Sequence, residues 1–294
     1  MNNRKYIFLL LLFIIILVTI LFSLKYYKEK ENLMNSLSGI LYYNDEFTGV
    51  DSFDLSSETK KKVELNSDYT ILDYQSTDNG YYCIARDESE DYLKTYFINS
   101  VNDEMIQTLI PESSGKLGLI DNGVFFYSDY YTTSEFYTLC YLNSELNTVT
   151  EVIQNVTDYC IVNNEVFFIK NENLYQFYIE SDAEELILEN CCQIISSSKD
   201  VLFYKTDNGI YKYNISTQKT EKFSAKKKYD LVLALDNNIV IVSKINYNSG
   251  SEDEVAYNPF IKLKIKYYIL SNDKLFHLNK LDKDDIEWLT YVND

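Results

Sequence analysis

The chain is expected to be all-β, a six-bladed β-propeller closed by its C-terminal strand and preceded by one transmembrane helix. Three observations predict this. A short apolar strand recurs six times at a spacing that suits four-stranded blades, the first copy lacks a strand that the C-terminus supplies, and an 18-residue apolar run stands near the N-terminus.

The recurring strand reads GILYY from Gly39, GYYCIA from Gly80, GVFFY from Gly123, EVFFIK from Glu165, DVLFYK from Asp200 and NIVIVSK from Asn238. Successive copies start 41, 43, 42, 35 and 38 residues apart, close to the ~40 to 45 residues of one blade. In the third copy the pattern divides into strands at 116–121, 123–128, 136–142 and 148–153. The second strand of each copy is almost continuously apolar, as befits a strand covered on both faces. Third strands alternate: Ile261, Leu263, Ile265 and Tyr267 against Lys262, Lys264 and Lys266, and Tyr211, Tyr213 and Ile215 against Lys212 and Asn214. Their basic faces are expected to be solvated and to discourage edge pairing. With 8 Gly and 2 Pro, the turns fall to Asn, Asp and Ser, which tolerate left-handed backbone. Asp78-Asn79-Gly80, Asp121-Asn122-Gly123, Asn163-Asn164 and Asp236-Asn237-Asn238 stand where turns are needed.

The first copy has second, third and fourth strands (39–43, 50–55, 60–65) but no first. The segment Asp285 to Val292 reads as an inner strand with nothing after it to pair with, so it completes the N-terminal blade and removes an open edge. Trp288, the sole tryptophan, is expected to pack at that seam.

Ile7 to Leu24 is long enough to span a bilayer. Arg4 and Lys5 precede it, and Lys25, Tyr26, Tyr27 and Lys28 follow as interfacial anchors. A cleaved signal peptide is the alternative, but no small-x-small site follows the run, and the first cysteine, Cys83, is too far away for lipidation. The expected organisation is a cytoplasmic tail at 1–5, an anchor at 6–24, a stalk at 25–38 and the propeller at 39–294, in a single-pass cell-membrane protein with its C-terminal part extracytoplasmic. A fully extended stalk would hold the propeller at most ~45 Å from the bilayer.

Arg4 and Lys5 aside, 25 basic residues face 45 acidic ones, a net charge of −20 beyond the tail. Such a surface repels nucleic acid and anionic lipid, and no nucleic-acid partner is expected. Cys83, Cys140, Cys160, Cys191 and Cys192 all sit in apolar stretches and read as small buried hydrophobes. A bridge from Cys160 to Cys191 or Cys192 is left open, and no C-x-x-C spacing or neighbouring His suggests a metal.

At GVFFYSD from Gly123 and DVLFYKTDNGIYKYNIS from Asp200 the chain resembles YWTD-type and TolB-like six-bladed propellers, and membrane-anchored bacterial propeller proteins of unknown function. The resemblance covers about Gly39 to Asp294 and implies the fold, on which functions differ widely. The Asp-box, Trp-Asp and paired-glycine signatures of other propeller classes are missing.

No catalytic residue, cofactor or metal is assigned. The one histidine, His277, lies in the expected outer strand of blade 6, and no G-x-S-x-G motif occurs. Topology places the loops between second and third strands on one face, and three are long: 86–92, 127–135 and 245–259. They carry the candidate binding residues Asp87, Glu88, Glu90, Asp91, Asp129, Tyr130, Tyr131, Tyr247, Glu252, Asp253 and Glu254. Tyrosine rings and hydroxyls beside carboxylates suit sugars, peptides or cationic groups. The expected role is a non-enzymatic binding module for a protein or an envelope polysaccharide. The alternative is an anchored hydrolase or lyase with paired carboxylates in the central channel.

Overall fold

The computed structural model describes residues 2–294 apart from 46–48, 66–68, 88–93, 102–103, 114, 129–135, 146, 197–199, 248–262, 282–288 and 293–294. It opens with α1 (Asn2–Ser36). Blade 1 follows with β1 (Ile40–Asp45), β2 (Gly49–Asp54) and β3 (Thr59–Val63). Blade 2 is β4 (Thr70–Thr77), β5 (Gly80–Asp87), β6 (Lys94–Val101) and β7 (Glu104–Ile110), and blade 3 is β8 (Gly118–Ile120), β9 (Gly123–Ser128), β10 (Tyr137–Asn143) and β11 (Thr148–Val156). Blade 4 holds β12 (Asp158–Val162), β13 (Glu165–Lys170), β14 (Asn173–Tyr178) and β15 (Ala183–Glu189). Blade 5 holds β16 (Gln193–Ser196), β17 (Val201–Thr206), β18 (Gly209–Asn214) and β19 (Lys219–Ser224), and blade 6 β20 (Asp230–Asp236), β21 (Ile239–Tyr247), β22 (Leu263–Ser271) and β23 (Lys274–His277). The last strand, β24 (Leu289–Val292), joins blade 1, giving the order β24-β1-β2-β3.

The described residues therefore form six four-stranded sheets, and the closure has the anticipated register. Ile40, Leu41, Tyr42 and Tyr43 pair antiparallel with Val292, Tyr291, Thr290 and Leu289. Trp288 lies outside the described residues.

The core is six apolar layers, one between each pair of neighbouring blades. Between blades 3 and 4 lie Phe125, Tyr127, Leu139, Val166 and Phe168. At the seam between blades 6 and 1 lie Leu41, Phe53, Leu55, Ile241, Tyr267 and Ile269. This arrangement is why β9, GVFFYS, is buried at all six positions. It also explains a departure on the third strands, whose basic faces were expected to be solvated. Lys212 is only 14% exposed in its side chain, laid over Phe223 with Nζ 5.0 Å from the ring centroid. On β22, Tyr268 and Leu270 pack toward blade 5 while Tyr267 and Ile269 pack toward blade 1. Third strands are covered on both faces, and a lysine there buries its stem along the neighbouring ring.

Turn chemistry follows the Asn and Asp pairs. Asn163 and Asn164 (φ 51° and 64°) and Asn272 and Asp273 (49° and 58°) are paired left-handed residues, the geometry of tight hairpins. Gly80 (φ 154°) admits no side chain, because a Cβ there would stand 1.9 Å from the Ser100 carbonyl oxygen.

The helix brings the largest departure. The helix from Leu10 to Ser36 is long and apolar enough to cross a membrane, and its large apolar side chains from Leu10 to Leu24 are bare. Beyond them the expected stalk is helical and folded against blade 6, so it adds no reach. Tyr26 stacks on Phe276 (centroids 5.6 Å apart), and its hydroxyl lies 3.5 Å from the Leu275 carbonyl and 3.4 Å from the His277 amide. Lys30 donates to the His277 carbonyl at 2.9 Å and pairs with Glu58 at 3.3 Å, while Glu29 meets Lys274 at 2.9 Å. Met34 and Leu37 enter the seam between blades 6 and 1. Polar groups along the edge of β23 thus find partners on α1, which shields that edge. Gly39 (φ 105°) then turns the chain into β1.

Candidate functional site: the central channel and its mouth

The inner strands of all six blades line a channel of about 1300 Å³. Each contributes at least one aliphatic side chain: Leu289, Leu72, Leu119, Ile161, Ile195 and Val232 in ring order. These residues are partly exposed. The channel wall is thus an apolar belt, because alternate residues of an inner strand point to the axis and the others into an inter-blade layer.

Polar side chains on the inner strands tie blade to blade. Asp73 accepts from the Leu117 amide of blade 3 at 2.5 Å, Asp158 from the Ile194 amide of blade 5 at 2.9 Å, and Gln193 from the Leu231 amide of blade 6 at 3.1 Å. Thr290 donates to the Tyr74 carbonyl of blade 2 at 2.8 Å. The Asn pairs of the turns add links: Asn164 donates to Asp121 at 2.5 Å and Asn163 to Asp200. Each bond uses a group that would otherwise be an unpaired polar atom at a blade boundary.

A denser group stands at the channel wall where blades 2, 3 and 4 meet. Lys116 pairs with Asp158 and lies 5.3 Å from the Tyr159 ring centroid and 5.8 Å from that of Tyr127. The Tyr159 hydroxyl is shared between the carbonyls of Lys116 and Phe125, the latter at 2.9 Å, and Tyr137 stacks on Tyr127 at 4.5 Å. Arg86 donates to the Ser113 carbonyl at 3.3 Å. The Tyr127 hydroxyl is buried without a hydrogen-bond partner among the described residues.

Burial sets the titration of this group. It pushes the Tyr127 and Tyr159 hydroxyls well above 10, helped by the negative charges of Asp158 for Tyr127 and of Asp73 and Asp158 for Tyr159. The Asp73 carboxyl rises to about 6, burial outweighing the amide bonds from Leu117 and Tyr74 and the charge of Lys116. Burial also pushes the Cys160 thiol up, the opposite of what a nucleophilic thiolate needs. Asp73 is the single carboxylate among the described lining residues, and both its oxygens accept backbone amides, at 2.5 Å from Leu117 and 2.7 Å from Tyr74. The described residues include no cluster of three or more His, Cys, Asp or Glu able to hold a metal.

The second strands β5, β9 and β21 end at Asp87, Ser128 and Tyr247, and the third strands β6, β10 and β22 begin at Lys94, Tyr137 and Leu263. Asp87 ends β5, half-buried and opposite Lys94. Tyr247 ends β21 opposite Leu263. Glu88, Glu90, Asp91, Asp129, Tyr130, Tyr131, Glu252, Asp253 and Glu254 lie outside the described residues. Asp73, Lys116 and Tyr127 were not singled out from the sequence. The available signal was the recurrence of Asp or Gln on inner strands at Asp73, Asp158 and Gln193, which only the blade register reveals.

The single histidine sits in β23 as expected, its ring stacked on Tyr268 at 5.0 Å. Four cysteines are buried, but Cys192 is exposed, a correction that follows from adjacency: beside Cys191 it must face the other way. Cys160 and Cys191 share one apolar layer, both as free thiols.

No family model and no curated protein matches the chain in sequence. Among solved structures it is similar to a quinonprotein alcohol dehydrogenase-like protein from Bacteroides thetaiotaomicron, at TM-score 0.47 and 10% identity over 87% of this chain and 76% of that one. An oligogalacturonate lyase in complex with manganese gives TM-score 0.47 and 10% identity, over 71% and 72%. A chain of a nidogen/laminin complex gives TM-score 0.50 and 8% identity, over 86% of this chain and 97% of that one. At such identities the likeness is one of fold, and the fold of this chain is the six-bladed β-propeller.

Proposed function

We propose that the chain is a single-pass membrane protein whose extracytoplasmic propeller binds a protein or polysaccharide without catalysis. The observation that carries this reading is α1, one helix that runs from the bare apolar segment into side chains packed on blade 6. A propeller fixed in this way is held at the membrane by one side of its ring. Blades 2 and 3, with their long acidic and tyrosine-bearing loops, stand on the far side, since blade 3 is opposite blade 6. The alternative of paired carboxylates in the channel finds one carboxylate among the described lining residues, Asp73, already engaged by two backbone amides.

The test is recovery of envelope components by the full chain in lipid nanodiscs. It is compared with a variant in which Tyr130 and Tyr131 become Ala and Asp87, Glu88, Glu90 and Asp91 become Asn or Gln. Loss of a bound protein or glycan in the variant supports the loop face as the binding surface. Equal recovery from both refutes it.

A further inference from the structure

The outer strands, which form the rim of the ring, divide by charge. On blades 5, 6 and 1 they carry Lys219 and Lys222, Lys274, and Lys60, Lys61 and Lys62, all exposed. The one acid among these strands, Glu221, pairs with Lys212 at 3.4 Å, and Lys274 pairs with Glu29 of α1 at 2.9 Å. On blades 2, 3 and 4 the outer strands carry Glu104, Glu151, Glu184, Glu185 and Glu189 and neither Lys nor Arg. The basic arc is therefore three consecutive blades, and its middle blade is the one on which α1 is docked.

The helix also sets the height of this arc. Tyr26, which stacks on Phe276 of β23, lies two residues beyond Leu24, the end of the apolar run. At 1.5 Å rise per residue that is about 3 Å along the axis. Lys25 and Lys28 are exposed on the same turn of helix. One lysine of this rim, Lys274, thus stands against α1 at Glu29, within about two helical turns of the end of the apolar run. The average charge, which predicts repulsion from anionic lipid, conceals this segregation.

We infer that the rim of blades 5, 6 and 1 rests on anionic phospholipid headgroups, so that the propeller stands edge-on with blades 2 to 4 away from the bilayer. This rests on the membrane-anchored reading above. Electrostatic attraction of clustered lysines to an anionic leaflet falls off within a Debye length, so the contact requires the rim to lie at the surface, as the docked helix makes it do. Interleaved carboxylates on blades 2 to 4 would be repelled by the same surface, which reinforces the one orientation.

The full chain is reconstituted in nanodiscs of phosphatidylcholine alone and of phosphatidylcholine with phosphatidylglycerol, and lysine acetylation is read by mass spectrometry. Lys61, Lys219 and Lys222 are expected to label at least about threefold more slowly in the anionic discs, while Lys94 and Lys170 are unchanged. Salt at about 0.5 M, where the Debye length is roughly 4 Å, removes the protection. Equal labelling of the rim lysines in both discs overturns the inference. So does protection that phosphatidylglycerol fails to give but a soluble polyanion, dextran sulfate, gives over neutral discs, which would assign the arc to an anionic polymer. Co-elution with neutral discs reports the anchor by itself. A chain that elutes without lipid overturns both readings, whereas a retained chain with unprotected lysines overturns only this one.

Discussion

Replacing Asp73 by Asn should change how the fold depends on pH. In the folded chain burial lifts the Asp73 carboxyl from 3.8 to about 6, so the folded state holds a proton that the unfolded chain has already released. Below the unfolded value both states are protonated and the site carries no electrostatic cost. Between 3.8 and about 6 the folded state binds more protons than the unfolded one, and stability falls as pH rises. Above about 6 the full cost of a buried charge is present. The two values lie close to two pH units apart, and at ~1.4 kcal/mol per unit the loss is on the order of 3 kcal/mol. Asn keeps a carbonyl oxygen for the Leu117 amide, bonded at 2.5 Å in the native chain, and has no proton to lose. Urea denaturation of the full chain and of Asp73→Asn, from about pH 4 to about pH 8, reads the difference directly. The variant should gain on the native protein by about 3 kcal/mol across that range. A difference that stays flat with pH would refute the assignment of a charge buried at the blade 2 to blade 3 boundary.

Three further outcomes follow from the packing. Tyr127→Phe removes a buried hydroxyl that has no partner among the described residues and should raise stability by about 1 kcal/mol in thermal melts; a loss of similar size would mean the hydroxyl is bonded. A chain ending at Trp288 loses β24 and with it the pairing of Ile40 to Tyr43. Hydrogen exchange should then accelerate at β1 and at the blade 1 to blade 2 layer, and unchanged protection there would contradict closure by the C-terminus. Met34→Ala opens the layer into which α1 inserts and should cost about 2 to 4 kcal/mol in the same denaturation assay, whereas an exposed stalk residue would cost well under 1 kcal/mol.

The sequence and the structure agree where short-range pattern decides the outcome. Apolar second strands such as GVFFYS must be covered on both faces, and six of them with a spare C-terminal strand leave one closed arrangement. Paired Asn residues at 163 and 164 mark left-handed hairpins because few other residues adopt that backbone. The docking of α1 was hidden because Leu33, Met34 and Leu37 stand among Asn and Ser just past a charged stretch, and their burial depends in part on blade 6, whose strands come late in the chain. Asp73 was hidden for a similar reason: a carboxylate among the 45 acidic residues becomes distinctive only when the next blade's amide is placed against it. Lys212 was misread as solvated because alternation shows which residues share a face and does not show whether a neighbouring blade covers it. The charge division of the rim is written plainly in β3, β7, β11, β15, β19 and β23, yet it has meaning only once those strands are known to be outermost and α1 is known to sit on blade 6.

The edge-on orientation requires α1 and the ring to be one rigid body. Spin labels at Lys28→Cys on α1 and Asn171→Cys in the β13–β14 turn of blade 4, in a Cys192→Ser background, report this in nanodiscs by double electron–electron resonance. A single narrow distance distribution is predicted, broadening when Tyr26→Ala and Met34→Ala release the helix from blade 6. A broad distribution in the otherwise native chain would contradict the docked anchor and the orientation built on it.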